Sequence, residues 1–330
     1  MKILSIGLMA IASFVSCNVK ASAIDDFIYE MAVRHGFDQN KLVQMFSQVE
    51  IKNSVLSLMK NQAATPASKK VVWAKYDYDK KFVDWKRVEG GMKFIQKYAT
   101  IFAKAETQYG VPSEVIAAII GIETLYGHNV GSTRILDALT TLAFYYPARA
   151  DFFRKELEEF LLMTREENIS PLAPKGSFAG AMGIGQFMPS SYRKLAIDFN
   201  GDGIRDLWNP EDAIGSVAHY LHKNGWSRGA PIIIAASSVA GYASDLAALG
   251  VQPTYTLPQL QASGLICNIT TAPDVKMGVL AFETEWGKAL WASFNNFQVI
   301  KTYNNTNRYA MGVTQLAEAI RHARQVDTFN

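Results

Sequence analysis

The residue best placed to do chemistry is Glu123, a carboxylate at the end of an apolar run. It follows Ile116 by seven residues, Ile119 by four and Ile120 by three, so on a helix it shares their face. A carboxylate on an apolar face is costly to ionise, and its pKa therefore rises toward the range of a general acid. A buried structural glutamate, held by a partner charge or by backbone N–H groups, fits the same pattern. Position alone leaves both interpretations open.

A glycine-dense stretch, GAMGIGQFMP, begins at Gly180 and carries one amide side chain, Gln186. Glycines at 180, 183 and 185 allow a backbone to approach a ligand closely. The uncharged amide of Gln186 suits a sugar hydroxyl or an acetamido group. The alternative is a tight turn between helices with Gln186 facing solvent.

A third pattern, DFNGDGIRD, begins at Asp198 and is rich in side-chain oxygens. Oxygens at relative positions 1, 3 and 5, with glycine at 6, match the first half of an EF-hand calcium loop, and Ile204 would supply its carbonyl. Asn209 stands where the usual bidentate glutamate belongs, so Asp212 would have to close a longer loop. The pattern favours a structural calcium over a plain Asx-rich turn.

The elements that must position these residues are mostly helical. Residues 24–110 have apolar residues at helical spacing, notably over 88–108, with Asp38 as an N-cap and a surface loop over 63–80. From Gly110 to Trp226 short helices alternate with turns, and Pro112 suits the start of the helix that carries Glu123.

Beyond Trp226 the pattern changes to include strands. Pro231–Ala235, Val275–Phe282 and the alternating Phe297–Tyr303 are strand candidates, and Tyr309–His322 returns to helix. We therefore predict a mainly α (α+β) fold. The predicted divisions are a signal at 1–23, a helical domain at 24–110, a catalytic core at 111–227 and a small β-containing region with a C-terminal helix at 228–330.

The first residues predict export. Lys2 precedes an apolar run from Ile3 to Val15 that is too short for a membrane span but fits a secretory signal, with cleavage after Ala23. Alternatively, a lipoprotein signal ends before Cys17, which would be acylated and anchored in the outer membrane. Both interpretations place the mature protein in the periplasm.

Composition narrows the classes of partner. The net charge of +3 includes Lys2 and Lys20 of the predicted signal, and no basic stripe with interleaved aromatics is present, so we expect no nucleic acid. Cys267 has no partner once Cys17 is removed or acylated, so the fold must depend on its core. We expect a monomer without an organic cofactor.

Taken in order, these patterns resemble the membrane-bound lytic transglycosylase B family, whose members cleave peptidoglycan. The resemblance is carried by the runs GIETLYG, STRILDALTTLAF, FLLM, GSFAGAMGIGQFMPSSY, DFNGDGIRDLW and DAIGSVAHYL, and more weakly by TYNNTNRYAMGV at 302–313. It implies a lysozyme-like catalytic core with a flanking helical domain and a small β domain. It also implies that Glu123 is the only catalytic acid/base.

The resemblance implies further site residues. The substrate-binding set is Ser177, Gln186, Tyr220, Arg149, Tyr303, Asn304 and Tyr309, and the calcium ligands are Asp198, Asn200, Asp202, Ile204 and Asp212. The family often has two arginines after the turn at Tyr145–Pro147, and Ala148 replaces one of them here. The missing arginine puts one contact to the peptide or lactyl group of the substrate in doubt.

The single carboxylate and the family resemblance together imply a particular mechanism. Most glycosidases need two carboxylates, whereas the nearest aspartate, Asp137, fits a cap or an ion-pair partner. The prediction is a lytic transglycosylase that cleaves between N-acetylmuramic acid and N-acetylglucosamine and leaves 1,6-anhydromuramic acid ends. The alternatives are a hydrolysing muramidase on the same fold and a non-catalytic peptidoglycan-binding protein.

Overall fold

The computed structural model describes residues 22–64, 81–284 and 287–327. Most of the predicted signal, including Cys17, and residues 65–80 of the predicted 63–80 loop lie outside these ranges. Residues 63–64 end a helix. The described residues are mainly helical with two small sheets, which confirms the predicted class. Among them, no helix combines the length and apolarity that crossing a membrane requires.

The helices and strands follow in chain order. The helices are α1 (22–35), α2 (Gln39–Phe46), α3 (Asn53–Ala64), α4 (Trp85–Lys97), α5 (Ala99–Tyr109), α6 (Ser113–Thr124), α7 (Ile135–Tyr145), α8 (Ala150–Glu166), α9 (Pro189–Leu195), α10 (Pro210–Lys223), α11 (Ala243–Ala248), α12 (Leu257–Ala262), α13 (Asn295–Tyr303) and α14 (Asn307–Asp327). The strands are β1 (Thr133–Arg134), β2 (Lys175–Gly176), β3 (Ile233–Ser238), β4 (Leu265–Ile266), β5 (Gly278–Thr284) and β6 (Gly287–Ser293).

The chain forms two compact units that are discontinuous in sequence. Within the described residues the first unit comprises 22–64, Val130–Met182 and Gln186–Lys194, and the second comprises 81–129, Gly183–Gly185 and 195–327. In the first unit α7 packs against α8 and α3, and the β1–β2 pair joins the start of α7. Asp38 caps α2 as predicted, since its side chain accepts from the Lys41 N–H at 3.0 Å.

The second unit is built around α6. This helix packs against α4, α5, α10 and α14, and the side chains of its middle turns, from Val115 to Ile120, are almost completely buried. A helix that is enclosed on all sides must be apolar all round, which explains the run of aliphatic residues before Glu123. The core therefore fixes the helix that carries the carboxylate.

The β strands of the second unit form one sheet in the order β4-β3-β6-β5, with every pairing antiparallel. One face of the sheet packs with α11 and α12 on a small core that includes Leu246, Leu260 and Leu290. The predicted strands Pro231–Ala235 and Val275–Phe282 correspond to β3 and β5, with bounds shifted by a few residues.

One local prediction is wrong. Phe297–Tyr303 is helix α13 rather than a strand, because Phe297 and Ile300 are buried at a helical spacing that coexists with the apparent alternation. The helical spacing over 88–108 does correspond to helix, which is divided into α4 and α5 where the backbone leaves helical geometry at Tyr98.

Candidate active site

Glu123 lies in the last turn of α6, and among the described residues one side chain forms a hydrogen bond with it. Its Oε1 accepts a hydrogen bond from the Tyr309 hydroxyl at 2.7 Å. Burial raises the pKa of Glu123 to about 7, and the bond from Tyr309 opposes part of this rise. No described cation contributes to the shift. Glu123 is therefore a carboxylic acid that can both give and take a proton near neutral pH.

Three tyrosines gather beside this carboxylate. The rings of Tyr303 and Tyr309 are nearly parallel, 9° apart, with centroids separated by 6.4 Å, and Tyr220 lies 4.8 Å from Tyr303. Burial, reinforced by the charge of Glu123, holds the pKa of Tyr303 and of Tyr309 well above the ordinary tyrosine value. Both phenols therefore remain protonated donors.

The other two hydroxyls of this group are directed to backbone carbonyls. Tyr303 donates to the Gly185 carbonyl at 2.5 Å, and Tyr220 donates to the Thr302 carbonyl at 2.7 Å. Tyr309 is thus the member whose hydroxyl binds Glu123. The structure brings the predicted residues Glu123, Tyr220, Tyr303 and Tyr309 together.

The end of α6 is fixed by an unusual backbone. Leu125 and Tyr126 both have positive φ, at 51° and 60°, a backbone conformation that residues other than glycine rarely adopt. The Tyr126 side chain lies close to two glycines. A Cβ added at Gly90 would lie 2.6 Å from its ring, and a Cβ added at Gly121 would lie 2.5 Å from its hydroxyl oxygen. Its hydroxyl donates to the Arg87 carbonyl at 2.5 Å. Tyr126 therefore has a structural role: its packing and its hydrogen bond hold the turn after Glu123 in place.

This packing of Tyr126 was not predicted from the sequence. The glycines that accept the Tyr126 ring belong to α4 and α6, and only tertiary packing brings them together. The sequence held only a weak indication of it, namely glycine inside both helices. Glycine lowers helix stability by roughly 1 kcal/mol relative to alanine, so its presence there suggests that a close tertiary contact requires it.

The short segment Gly183–Gly185 is held beside α6. The Thr124 hydroxyl donates to the Ile184 carbonyl at 2.8 Å, and the Ile184 N–H donates to the Leu207 carbonyl at 2.7 Å. Gly183, with φ 71°, approaches the Leu207 backbone so closely that an added Cβ would lie 2.5 Å from its carbonyl oxygen. The glycine that was predicted to admit a ligand therefore serves packing.

Two predicted contacts belong to the first unit. Gln186 has a positive φ of 54°, and its Nε2 donates to the Val130 carbonyl at 3.1 Å. The Ser177 hydroxyl oxygen accepts from the Ala181 N–H at 3.0 Å and closes a turn at Gly180, which packs against the Leu139 side chain. Both side chains are half-buried and fixed in place.

The remaining predicted contacts are exposed. Arg149 ends a short 3-10 turn, and its guanidinium lies 4.3 Å from the ring centroid of Phe152. Asn304 is the C-terminal cap residue of α13, adjacent to Tyr303.

Asp137 is an ion-pair partner, as predicted. It is buried in the first unit, where it accepts from the Arg134 guanidinium at 2.6 Å and from the Glu50 N–H at 3.1 Å. A carboxylate with these partners serves structure.

The predicted calcium loop is compact and well ordered by its own side chains. Asp198 accepts backbone N–H bonds from Gly201, Asp202 and Gly203, and both glycines have positive φ. The Asn200 and Asp202 side chains bond each other at 3.0 Å. Within the described residues no three His, Cys, Asp or Glu side chains form a metal-binding group. The side-chain oxygens of Asp198, Asn200 and Asp202, together with backbone carbonyl oxygens, are the type of ligand that calcium prefers.

Asp212 plays a different part in that loop. It is fully buried at the start of α10, where Oδ1 accepts from the N–H groups of Phe199 and Asn200 and Oδ2 accepts from that of Asp206. The carboxylate ties the two ends of the loop to the helix. This bonding alone accounts for an aspartate here.

Comparison with known proteins identifies the family. The family model described as the transglycosylase SLT domain matches residues 20–318. Membrane-bound lytic murein transglycosylase B of Escherichia coli (strain K12) is 44% identical over 303 residues, which cover 90% of this chain and 82% of that protein.

Solved structures agree with this match. The soluble lytic transglycosylase SltB1 from Pseudomonas aeruginosa superposes with a TM-score of 0.85 at 43% identity, covering 92% of this chain and 99% of that one. The Escherichia coli lytic transglycosylase Slt35, solved in complex with calcium, superposes with a TM-score of 0.80 at 43% identity, covering 91% and 93%. These likenesses confirm the predicted lysozyme-like fold. The chain therefore belongs to the transglycosylase SLT family.

Proposed function

We propose that Glu123 alone is the acid and the base of a lytic reaction on peptidoglycan. The protein is a lytic murein transglycosylase, a lyase, in keeping with its family and its relatives at 43–44% identity. The observation that carries the assignment of Glu123 is the pairing of a carboxyl whose pKa is raised to about 7 with the Tyr309 hydroxyl.

The first step uses Glu123 as an acid. Its proton passes to the glycosidic oxygen between N-acetylmuramic acid and N-acetylglucosamine, and the bond from that oxygen to C1 of the muramoyl residue breaks. The acetamido oxygen of the same sugar stabilises C1. The Tyr309 donor stabilises the carboxylate that Glu123 becomes.

The second step returns the proton. The Glu123 carboxylate takes the proton of the C6 hydroxyl, whose oxygen attacks C1 and closes the 1,6-anhydro ring. Water is neither consumed nor released, and the acid is regenerated.

The electrostatics of Glu123 favour this route over one that uses two carboxylates. A second carboxylate within a few ångströms would raise the pKa of Glu123 by like-charge repulsion. Burial and the Tyr309 bond are the causes of the shift, and no described carboxylate contributes. We therefore propose that the substrate supplies the nucleophile.

Product analysis tests the proposal. Sacculi digested with the protein should release muropeptides with anhydromuramic ends, which mass spectrometry separates from reducing ends by the mass of one water. Reducing muramic ends would instead establish a hydrolysing muramidase. The Glu123→Gln variant is the control, and equal lysis by this variant would refute the assignment of Glu123. Binding to sacculi without lysis by the native protein would instead favour a non-catalytic wall-binding protein.

The substrate contacts that we propose are those predicted from the family pattern: Ser177, Gln186, Tyr220, Arg149, Tyr303, Asn304 and Tyr309. In the second unit the Tyr220 and Tyr303 hydroxyls bind backbone carbonyls, so their rings are what they would offer to a sugar. In the first unit Gln186 and Ser177 are ordered by local hydrogen bonds, which lowers the entropic cost of binding.

We also propose that the 198–212 loop binds one structural calcium ion. Support comes from the oxygen pattern at Asp198, Asn200 and Asp202 and from the likeness to Slt35, which was solved with calcium. Calcium at a hundredfold its Kd should stabilise the fold by about 2.7 kcal/mol. Thermal unfolding in chelator and in calcium measures this, with Asp202→Asn as the variant that should lose the shift. An unchanged Tm would contradict the proposal.

Export to the periplasm is a further proposal, supported by Lys2 and the apolar run from Ile3 to Val15. The intact mass of the mature protein distinguishes cleavage after Ala23 from acylation at Cys17. A mass that retains all 330 residues would contradict both.

A further inference from the structure

A cavity of about 370 Å³ lies at the N-terminal end of α6, where Glu114 and Val115 face residues of α14. Glu114 precedes Glu123 by nine residues, which along an α-helix corresponds to about 13.5 Å. The cavity is thus separate from the carboxylate that does the proposed chemistry. Its volume is typical of sites that hold small ligands.

One wall of the cavity is apolar and rigid. Trp226, Val115 and Ile232 line it, and the Trp226 Nε1 donates to the Gly110 carbonyl at 3.0 Å. Because its one donor is used within the fold, the indole offers the cavity an apolar surface. This wall suits a hydrocarbon side chain.

The rest of the lining carries charges of both signs. Glu318 and Arg321 of α14 form only a loose pair at 3.8 Å, and their side chains are about half exposed, at 48% and 54%. Glu114 is more buried, at 16%, and pairs with Arg324. A loose, exposed pair gains little from its own attraction, so each partner can turn to a ligand.

We propose that this cavity binds a small zwitterion with an apolar side chain, as found in a free amino acid or a short peptide. The Arg321 guanidinium would receive the ligand's carboxylate, and Glu318, with Glu114, would receive its ammonium group. The apolar side chain would lie against Trp226. Since α14 also carries Tyr309, the ligand would contact the two helices that bring Tyr309 to Glu123.

Binding of defined probes to the full chain tests the proposal. Alanyl-alanine and free alanine distinguish the two sources of the zwitterion, and calorimetric titration measures each. Amidating the dipeptide's carboxyl or acetylating its amine should weaken binding about tenfold, because each removes one charge-assisted contact. Equal binding of the dipeptide and both blocked forms would overturn the proposal, as would no binding of either probe.

Variants locate the binding. Arg321→Gln should weaken binding of the dipeptide about tenfold while leaving the circular dichroism spectrum unchanged, since Arg321 is largely exposed. His322→Ala, an exposed neighbour on α14 that does not line the cavity, is the matched control and should bind as the native protein does. Binding that both variants retain would overturn the assignment.

A last variant separates this site from the reaction. Glu123→Gln should bind the dipeptide with unchanged affinity, because Glu123 does not line the cavity. Binding lost in Glu123→Gln and kept in Arg321→Gln would place the ligand at Glu123 and refute the cavity. Neither result depends on the products formed from peptidoglycan.

Discussion

Two carboxylates of the second unit, the half-buried Glu123 at the end of α6 and the fully buried Asp212 at the start of α10, have opposite surroundings. Asp212 accepts three backbone N–H bonds, from Phe199, Asn200 and Asp206. Glu123 accepts one bond, from the Tyr309 hydroxyl, and its pKa rises to about 7. A carboxylate whose two oxygens both accept backbone N–H bonds holds structure, whereas a carboxyl whose pKa is raised toward neutrality is suited to exchange a proton.

The largest expected effect is on catalysis, through Glu123→Gln. Glutamine keeps the shape and can accept the Tyr309 bond but cannot transfer a proton, so the rate should fall by about 10²- to 10⁴-fold. Release of soluble muropeptides from sacculi measures this. Asp137→Asn, a change to a buried carboxylate of the first unit, is the contrast, since its loss should act through stability. If folded Glu123→Gln released muropeptides at the native rate, Glu123 would not be the catalytic acid, and its contrast with a structural carboxylate such as Asp212 would be lost.

Asp212→Ala should have the second largest effect, on stability. It leaves three backbone donors without their acceptor, and the free energy of unfolding should fall by about 3–5 kcal/mol. Urea unfolding measures the loss, and Glu211→Ala, a less buried neighbour, should cost far less. If the folded fraction of Asp212→Ala were inactive at low temperature, Asp212 would have a chemical role that its bonding does not indicate.

The raised pKa of Glu123 also predicts how stability depends on pH. The folded value, about 7, exceeds the ordinary value of 4.5, so the neutral acid supports folding below pH 4.5 and that support is lost as pH rises to 7. Glu123→Gln removes this titration. The variant should match the native protein near pH 4 and exceed its free energy of unfolding by roughly 3 kcal/mol at pH 8.

Urea unfolding at the two pH values measures that difference. Asp274→Asn, at an exposed carboxylate in the same unit, supplies the control for general charge effects. A difference between Glu123→Gln and the native protein that is the same at both pH values would mean that Glu123 is not raised in the folded state.

The comparison also shows what could be predicted from the sequence. The apolar run before Glu123 predicts a buried helix and a costly charge, because both depend on local spacing. The Tyr309 contact is not local: 186 residues separate it from Glu123, and only the family pattern indicated that the two regions belong together. Asp212 was predicted as a calcium ligand from its spacing, and spacing does not reveal the backbone donors that surround it.

Other features depend on packing that no single segment encodes. The space for the Tyr126 ring depends on Gly90 of α4 and Gly121 of α6 at once. The helix at Phe297–Tyr303 was mistaken for a strand because a short apolar pattern can satisfy both periods. Tertiary contacts then decide which period is used.

The smallest expected effect, and the sharpest test of the comparison, is on the pH profile of Tyr309→Phe. The Tyr309 bond lowers the pKa of Glu123, so its removal should raise that pKa above 7. In the proposed mechanism the reaction begins from the protonated acid, so activity should fall as pH rises through the pKa, and this descending limb should move to higher pH. The maximal rate should fall about tenfold, since the carboxylate formed in the first step loses its donor.

Tyr220→Phe is the matched control, because its hydroxyl binds the Thr302 carbonyl and belongs to the same group of rings. The descending limb of its pH–activity profile should lie at the same pH as that of the native protein. A limb that moves to lower pH in Tyr309→Phe, or moves equally in both variants, would show that the ring environment and not the single donor sets the pKa of Glu123. In that case the number of donors would no longer distinguish the proposed catalytic role of Glu123 from the structural role of Asp212.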